Sequence, residues 1–206
     1  MGLTVKENQF IIPAGRHLAL CYGVVDLGSQ PNKFESGKFD RRVKIFFELS
    51  DLIIEFIEGS PSRPAGVSKE YNPSLTISTE LRKHLESWRG KEFTIEERKG
   101  FDLFKILGKP AMLEVYHKQQ NKGGIWVEIQ QIYTAPKGVL PPQFNETLKF
   151  SFEDYQKEST PESFLKLPEN LQKRIANSRE WSQLPSNLRP TLDFVQAEEV
   201  NEEEIF

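Results

Sequence analysis

The constraint that most narrows the fold of this 206-residue chain is one change of hydrophobic period. Over residues 78–90, Leu81, Leu85 and Trp88 recur at i, i+4 and i+7; the segment opens on Ser78-Thr79 and stops at Gly90. That spacing puts the three apolar side chains on one face of a helix with a polar cap before it and a glycine after it. Around it the apolar residues alternate or run in short stretches, the pattern of strands.

Three strand-like stretches precede the helix. Residues 17–27 are mixed apolar with Gly23 inside, and a glycine within a strand marks a bulge or sharp bend. Residues 41–49 form the second, which residues 52–58 extend or pair with, and residues 67–72 form the third. Residues 101–107 suggest a short helical turn. Two more strands, 111–118 and 124–133, flank a polar hairpin loop. Residues 1–16 read as a loose N-terminal arm. Residues 137–185 form a Pro-containing arm with one helix over 168–184, which Phe144, Phe150, Phe152, Tyr155 and Phe164 pack onto the strands. Residues 186–206 read as a disordered acidic tail, since so charged a segment buries too little apolar surface to fold alone.

The expected fold is therefore mainly β with one or two helices. The β-β-β-α-β-β order over 17–136 is that of a five-stranded oligonucleotide/oligosaccharide-binding (OB) Greek-key barrel, followed by a helical arm and the tail.

Charge is unevenly distributed. The net charge is −3, but residues 191–206 hold six acidic residues and no Lys or Arg, leaving 27 basic against 24 acidic residues elsewhere. A mildly basic body and an acidic tail attract one another at low salt, so the tail competes with a polyanion for a basic groove. The final residues, Glu202, Glu203, Glu204, Ile205 and Phe206, set an aliphatic-aromatic pair behind a run of carboxylates. Such a peptide suits a partner with an apolar pocket and a basic rim.

This ending resembles the acidic tip of single-stranded DNA-binding proteins. The body, over roughly residues 1–140, resembles phage-encoded members of that group. The stretches that carry the likeness are residues 1–7, Cys21-Tyr22 with Val25-Asp26-Leu27-Gly28, Leu81-Arg82-Lys83, Trp88-Arg89-Gly90-Lys91 and Phe93-Thr94. The resemblance implies a non-enzymatic protein that coats single-stranded DNA in replication or recombination. It also implies recruitment of replication or recombination proteins through residues 202–206, and leaves a homo-oligomer open. It implies no cofactor. With no signal-peptide pattern and no apolar run approaching the ~20 residues that cross a bilayer, the expected location is the cytoplasm, that of the host cell if the gene is phage-borne.

Sequence-tolerant binding of a single strand needs flat rings for bases and cations for phosphates. The chain interleaves them: Lys44 with Phe46, Lys69 with Tyr71, Tyr116 with Lys118, and Lys122 with Trp126, with Arg89 beside the helix. Residues i and i+2 share a strand face, so the first three pairs each set a ring beside a cation. Trp126 has the parity of Glu128 and Gln130, opposite Ile125, Val127 and Ile129, and is expected to face solvent. Phe46 is expected outside and Phe47 inside, with Trp88 in the core.

Other chemistries have little to stand on. His17, His84 and His117 are scattered, the single Cys21 excludes an internal disulfide, and no phosphate loop or nucleophile elbow occurs. Cys21 reads as a small buried hydrophobe. Two rivals stay open: a protein-interaction or structural component of a phage, and a metal-dependent nuclease built on Glu48, Asp51 and Glu55.

Overall fold

The computed structural model describes residues 10–32, 34–55, 61–119 and 124–192. Strands β1 (Gly15–Pro31), β2 (Phe39–Ile54) and β3 (Arg63–Tyr71) come first, then helices α1 (Glu80–Arg89) and α2 (Ile95–Lys99) and a 3-10 turn, Leu103–Ile106. Strands β4 (Pro110–Gln119), β5 (Ile125–Thr134) and β6 (Leu148–Phe150) follow. The chain then runs through α3 (Phe152–Tyr155), α4 (Glu162–Leu165), α5 (Glu169–Ala176), α6 (Arg179–Ser182) and a last 3-10 turn, Ser186–Leu188. The protein is mainly β: the sheet runs β3-β2-β1-β4-β5 with every neighbour antiparallel, and β6 pairs with β1 in parallel. Among the described residues no helix is long and apolar enough to cross a membrane.

The length of β1 organises the molecule. Its residues Gly15 to Leu20 pair with β4, and where β4 ends the vacated edge, Gly23 to Val25, is taken by β6. Register shifts on the β2 side at Cys21/Gly23 and Asp26/Gly28 mark bulges, the first at the glycine that its sequence context singles out. A Cβ on Gly23 would stand 3.0 Å from Leu148 Cβ and 3.1 Å from Phe46 Cβ, so only glycine lets β6 and β2 approach together. The bulge also lets β1 serve two cores. Ala19, Cys21 and Val24 belong to the first, Val25 and Leu27 to the second.

The first core lies between the sheet and α1. Phe47, Leu49, Leu113 and Ile129 meet Leu81, Leu85 and Trp88, the helix stripe read from the period. The Trp88 ring packs 5.4 Å from that of Phe47 and donates its indole N–H to Pro110 O at 2.7 Å. Gly90 closes α1 at φ +66°, donating its N–H back to the last turn. Phe46 is half-buried on the opposite face and Phe47 fully buried, as the pattern requires.

The second core is the C-terminal arm folded onto the outer side of β1. Phe150, Phe152, Tyr155, Phe164 and Trp181 pack ring against ring around Val25 and Leu27, and Phe164 and Trp181 are 4.4 Å apart at their centroids. Burying side chains of this size contributes about 1.5–3 kcal/mol each.

Four local expectations change. The helix read over 168–184 is two, because Ser178 leaves helical geometry and accepts the Trp181 N–H as an N-cap. Order continues past 185, where Leu188 is buried and its carbonyl accepts the Tyr155 hydroxyl at 2.8 Å. The N-terminal arm is anchored by residue 12, for Ile12 is in the first core and its carbonyl lies 2.8 Å from His117 Nε2. Phe144 stays 61% exposed; its backbone, not its ring, holds the arm. The acidic segment 193–206 lies outside the described residues.

Candidate nucleic-acid interface

At the hairpin end of the β4–β5 ladder, directly paired residues share a face: Tyr116 with Glu128, and Lys118 with Trp126. Of the three tryptophans, Trp126 is 58% exposed while Trp88 and Trp181 are 6% and 9% exposed. An aromatic this large left in water beside an exposed lysine is a flat platform with a cation at its edge. The Lys118 ammonium makes no hydrogen bond or ion pair among the described residues.

The base of this patch is tied down. Tyr116 donates its hydroxyl to Glu128 Oε2 at 2.8 Å, and that bond holds the phenol pKa above its ordinary value. Partial burial pushes the Glu128 carboxyl up. Hydrogen bonds from Tyr116 and Lys69 and the charges of Lys69 and Lys118 outweigh this and hold it below the usual range. Glu128 therefore stays ionised, and the Tyr116 ring is tethered through its hydroxyl.

Lys69 and Tyr71 do not present the expected outward pair. They share a face, but the β3 parity Ala65-Val67-Lys69-Tyr71 points inward, since Ala65 and Tyr71 belong to the first core. Tyr71 is 2% exposed, its hydroxyl 2.8 Å from His84 Nδ1, so no face of the ring is open to a base. Lys69 crosses the gap between the sheet's two edge strands. Its ammonium donates to Ile129 O at 2.9 Å and Glu128 Oε1 at 3.0 Å, and pairs with Glu80 at 3.0 Å. With three partners and 9% side-chain exposure it is a seam between β3 and β5 instead of a phosphate contact.

Lys44 and Phe46 lie on the outer face of β2, the lysine 5.6 Å from the ring centroid. The arm reaches both: Phe46 packs against the second core, and Lys44 shares Glu70 with Arg174 of α5, at 3.6 Å and 3.1 Å. Arg89 sits apart at the other end of the β4–β5 ladder, about 20–25 Å away by strand rise. Its guanidinium lies 4.3 Å from the Phe93 centroid and 5.2 Å from that of Phe101, and it pairs with Glu97. Of the nine residues read as DNA contacts, the fold thus gathers the exposed Lys118 and Trp126 and the half-buried Tyr116 into one patch. Lys122 and residues 202–206 lie outside the described residues.

The carboxylates near residue 50 are otherwise engaged. Glu48 is fully buried and accepts from Phe144 N at 2.7 Å, Asn145 N at 2.9 Å and Asn145 Nδ2 at 2.7 Å. Asp51 accepts from Leu18 N at 3.2 Å and lies 3.4 Å from His17 Nδ1. Among the described residues no group of three or more His, Cys, Asp or Glu is placed to hold a metal ion. Cys21 is buried, and burial pushes its thiol up to about 12, which leaves it protonated and unreactive at neutral pH.

Sequence reading missed two arm latches. One is the Glu48 clasp. The other is Arg41, which pairs with both Asp26 and Glu180, while Glu180 also accepts from Ser29 N at 2.6 Å and Ser29 Oγ at 2.7 Å. Their partners on the arm lie 96 to 151 residues away, beyond any local signal.

No protein family, curated protein or solved structure matches this chain.

Proposed function

We propose that this protein is a single-stranded DNA-binding protein of the phage-encoded kind, built on an OB-type barrel and acting as a binder, not a catalyst. The strand order, with α1 between β3 and β4, supports the barrel reading, as does the bridging of the edge strands by Lys69. The observation that carries the binding reading is Trp126, exposed beside Lys118, which has no ion pair among the described residues, on a ladder end where the Tyr116 hydroxyl is tied to Glu128. Bases stack on the rings and phosphates follow the lysine. The acidic segment 198–204 competes for the same surface and, once displaced by DNA, recruits replication or recombination proteins through residues 202–206.

The exposed ring is also the reporter. Because Trp88 and Trp181 are buried, quenching of intrinsic fluorescence on adding oligo(dT) reads Trp126. Trp126→Ala is expected to abolish the quench and weaken binding by about 5- to 150-fold, the ~1–3 kcal/mol of one stacked base. Affinity should fall with salt at about −0.7 per phosphate neutralised. Removing residues 198–206 is expected to keep or tighten DNA binding and abolish partner capture. An affinity untouched by Trp126→Ala, or no binding of oligo(dT), refutes the reading. In that case the adjacent exposed Ile125 and Trp126 favour a protein-docking face.

A further inference from the structure

A second site lies at the opposite end of the β4–β5 ladder. Between α1, α2 and the 3-10 turn before β4 is a cavity of about 460 Å³. Trp88, Phe101, Ile106 and Pro110 give it apolar walls, and Arg89, Lys91, Lys105 and Lys109 line it with four cations against the one carboxylate of Glu97. The lysine side chains are exposed and make no hydrogen bond or ion pair among the described residues. Arg89 is different. It lies against the edge-to-face pair of Phe93 and Phe101 and is pinned through Nη2 to Glu97, yet its Nη1 is buried without a hydrogen-bond partner.

A guanidinium held against two rings with one donor unspent, in a cavity that three exposed lysines also line, is built to receive a multiply charged oxyanion. The apolar walls exceed what a bare ion needs, and the volume falls within the range of small-molecule sites. We infer that this cavity binds a phosphate monoester carried on a small planar organic group, the chemistry of a mononucleotide. The dianionic phosphate takes Arg89 and the lysines, and the ring lies along Phe101 and Pro110. The same chemistry is offered by a free nucleotide and by the 5′-phosphorylated end of a strand. The site does not depend on Trp126 binding DNA.

The probes are dTMP, thymidine and paired dT oligonucleotides with 5′-phosphate or 5′-hydroxyl, titrated against the full chain by calorimetry. dTMP is expected to bind and thymidine not to. Lys105→Ala/Lys109→Ala, which removes two exposed side chains and should fold normally, is expected to weaken dTMP binding at least about tenfold. Trp126→Ala should leave dTMP binding unchanged. A 5′-phosphate that tightens oligonucleotide binding in the parent but not in the double variant identifies the strand end as the source. dTMP binding without that gain identifies a free nucleotide. The inference is overturned if dTMP does not bind, if thymidine binds equally, or if the lysine variant binds dTMP as the parent does. Weakened oligo(dT) binding in Trp126→Ala with dTMP binding intact separates the fate of this site from that of the stacking face.

Discussion

Replacing Glu48 by Gln tests whether the arm is latched to the sheet by one buried carboxylate. Its two oxygens take three donors, Phe144 N, Asn145 N and Asn145 Nδ2, all at 2.9 Å or less. Glutamine offers a single acceptor oxygen, and its amide nitrogen would point at one or more of those N–H groups. Leaving one buried donor unmatched costs about 1–3 kcal/mol, and the remaining bonds lose their charge assistance, worth roughly half their strength. Against this, the variant no longer has to bury an ionised carboxylate, which recovers part of the loss. The balance is a destabilisation of about 1–3 kcal/mol. With a urea m-value of about 2 kcal/mol/M, the unfolding midpoint should drop by roughly 0.5–1.5 M. Asn145→Ala removes one donor and leaves the carboxylate with two, so it should cost less, about 0.5–1.5 kcal/mol. Hydrogen exchange at the Phe144 and Asn145 amides should accelerate in Glu48→Gln. A Glu48→Gln midpoint equal to the parent's, or a larger drop for Asn145→Ala, would refute the clasp.

Two further outcomes follow from buried contacts elsewhere. Burial holds the His84 pKa below its usual 6.5, opposed by Glu80 and reinforced by Lys69, so the unfolded chain binds the proton more readily than the folded one. Stability from this group is present above pH 6.5 and is lost as pH falls below it; the urea midpoint should decline from pH 7.5 to 5.5, and His84→Gln should flatten that decline. Gly28 has φ +72°, and a Cβ there would stand 2.5 Å from Ser178 Cβ and 2.8 Å from Glu180 Oε2. Gly28→Ala should therefore cost about 2–3 kcal/mol and lower the thermal midpoint, and an unchanged melt would deny the close approach of α6 to β1.

What was legible in the sequence was whatever depends on neighbours a few residues away. The α1 stripe and the outward parity of Trp126 follow from period, the Gly23 bulge from a glycine inside a strand, and all three are present. The inward parity of β3 was hidden because Lys69 interrupts the apolar pattern, and its charge is met by Glu128, 59 residues on. A lysine in that register reads as solvent-facing until the second edge of the sheet is known. Strand β6 is three residues long and exists because β1 outruns β4, a tertiary circumstance with no local signal. The break between α5 and α6 was readable in principle from Asn177-Ser178, a capping pair inside the expected helix.

Under the proposed single-strand binding, the arm decides which of the aromatic-cation pairs a strand could use. Phe46 and Lys44 sit where the arm packs on β2, and freeing them fully means undocking it. Ten arm residues belong to the second core, from Phe150 to Leu188. At even ~1.5 kcal/mol for each, exposing them costs about 15 kcal/mol, before the Glu48 and Arg41 latches are counted. One stacked base returns about 1–3 kcal/mol, so several new stacks would be needed to offset the loss at a site offering one half-buried ring. On the proposed single-strand reading the arm therefore stays docked, and the strand's path would run along the β4–β5 end past Trp126, Lys118 and Tyr116. On these magnitudes Phe46→Ala should weaken oligo(dT) binding far less than Trp126→Ala. The reverse order, measured by fluorescence titration of Phe46→Ala and by gel shift for both, would mean that the arm opens.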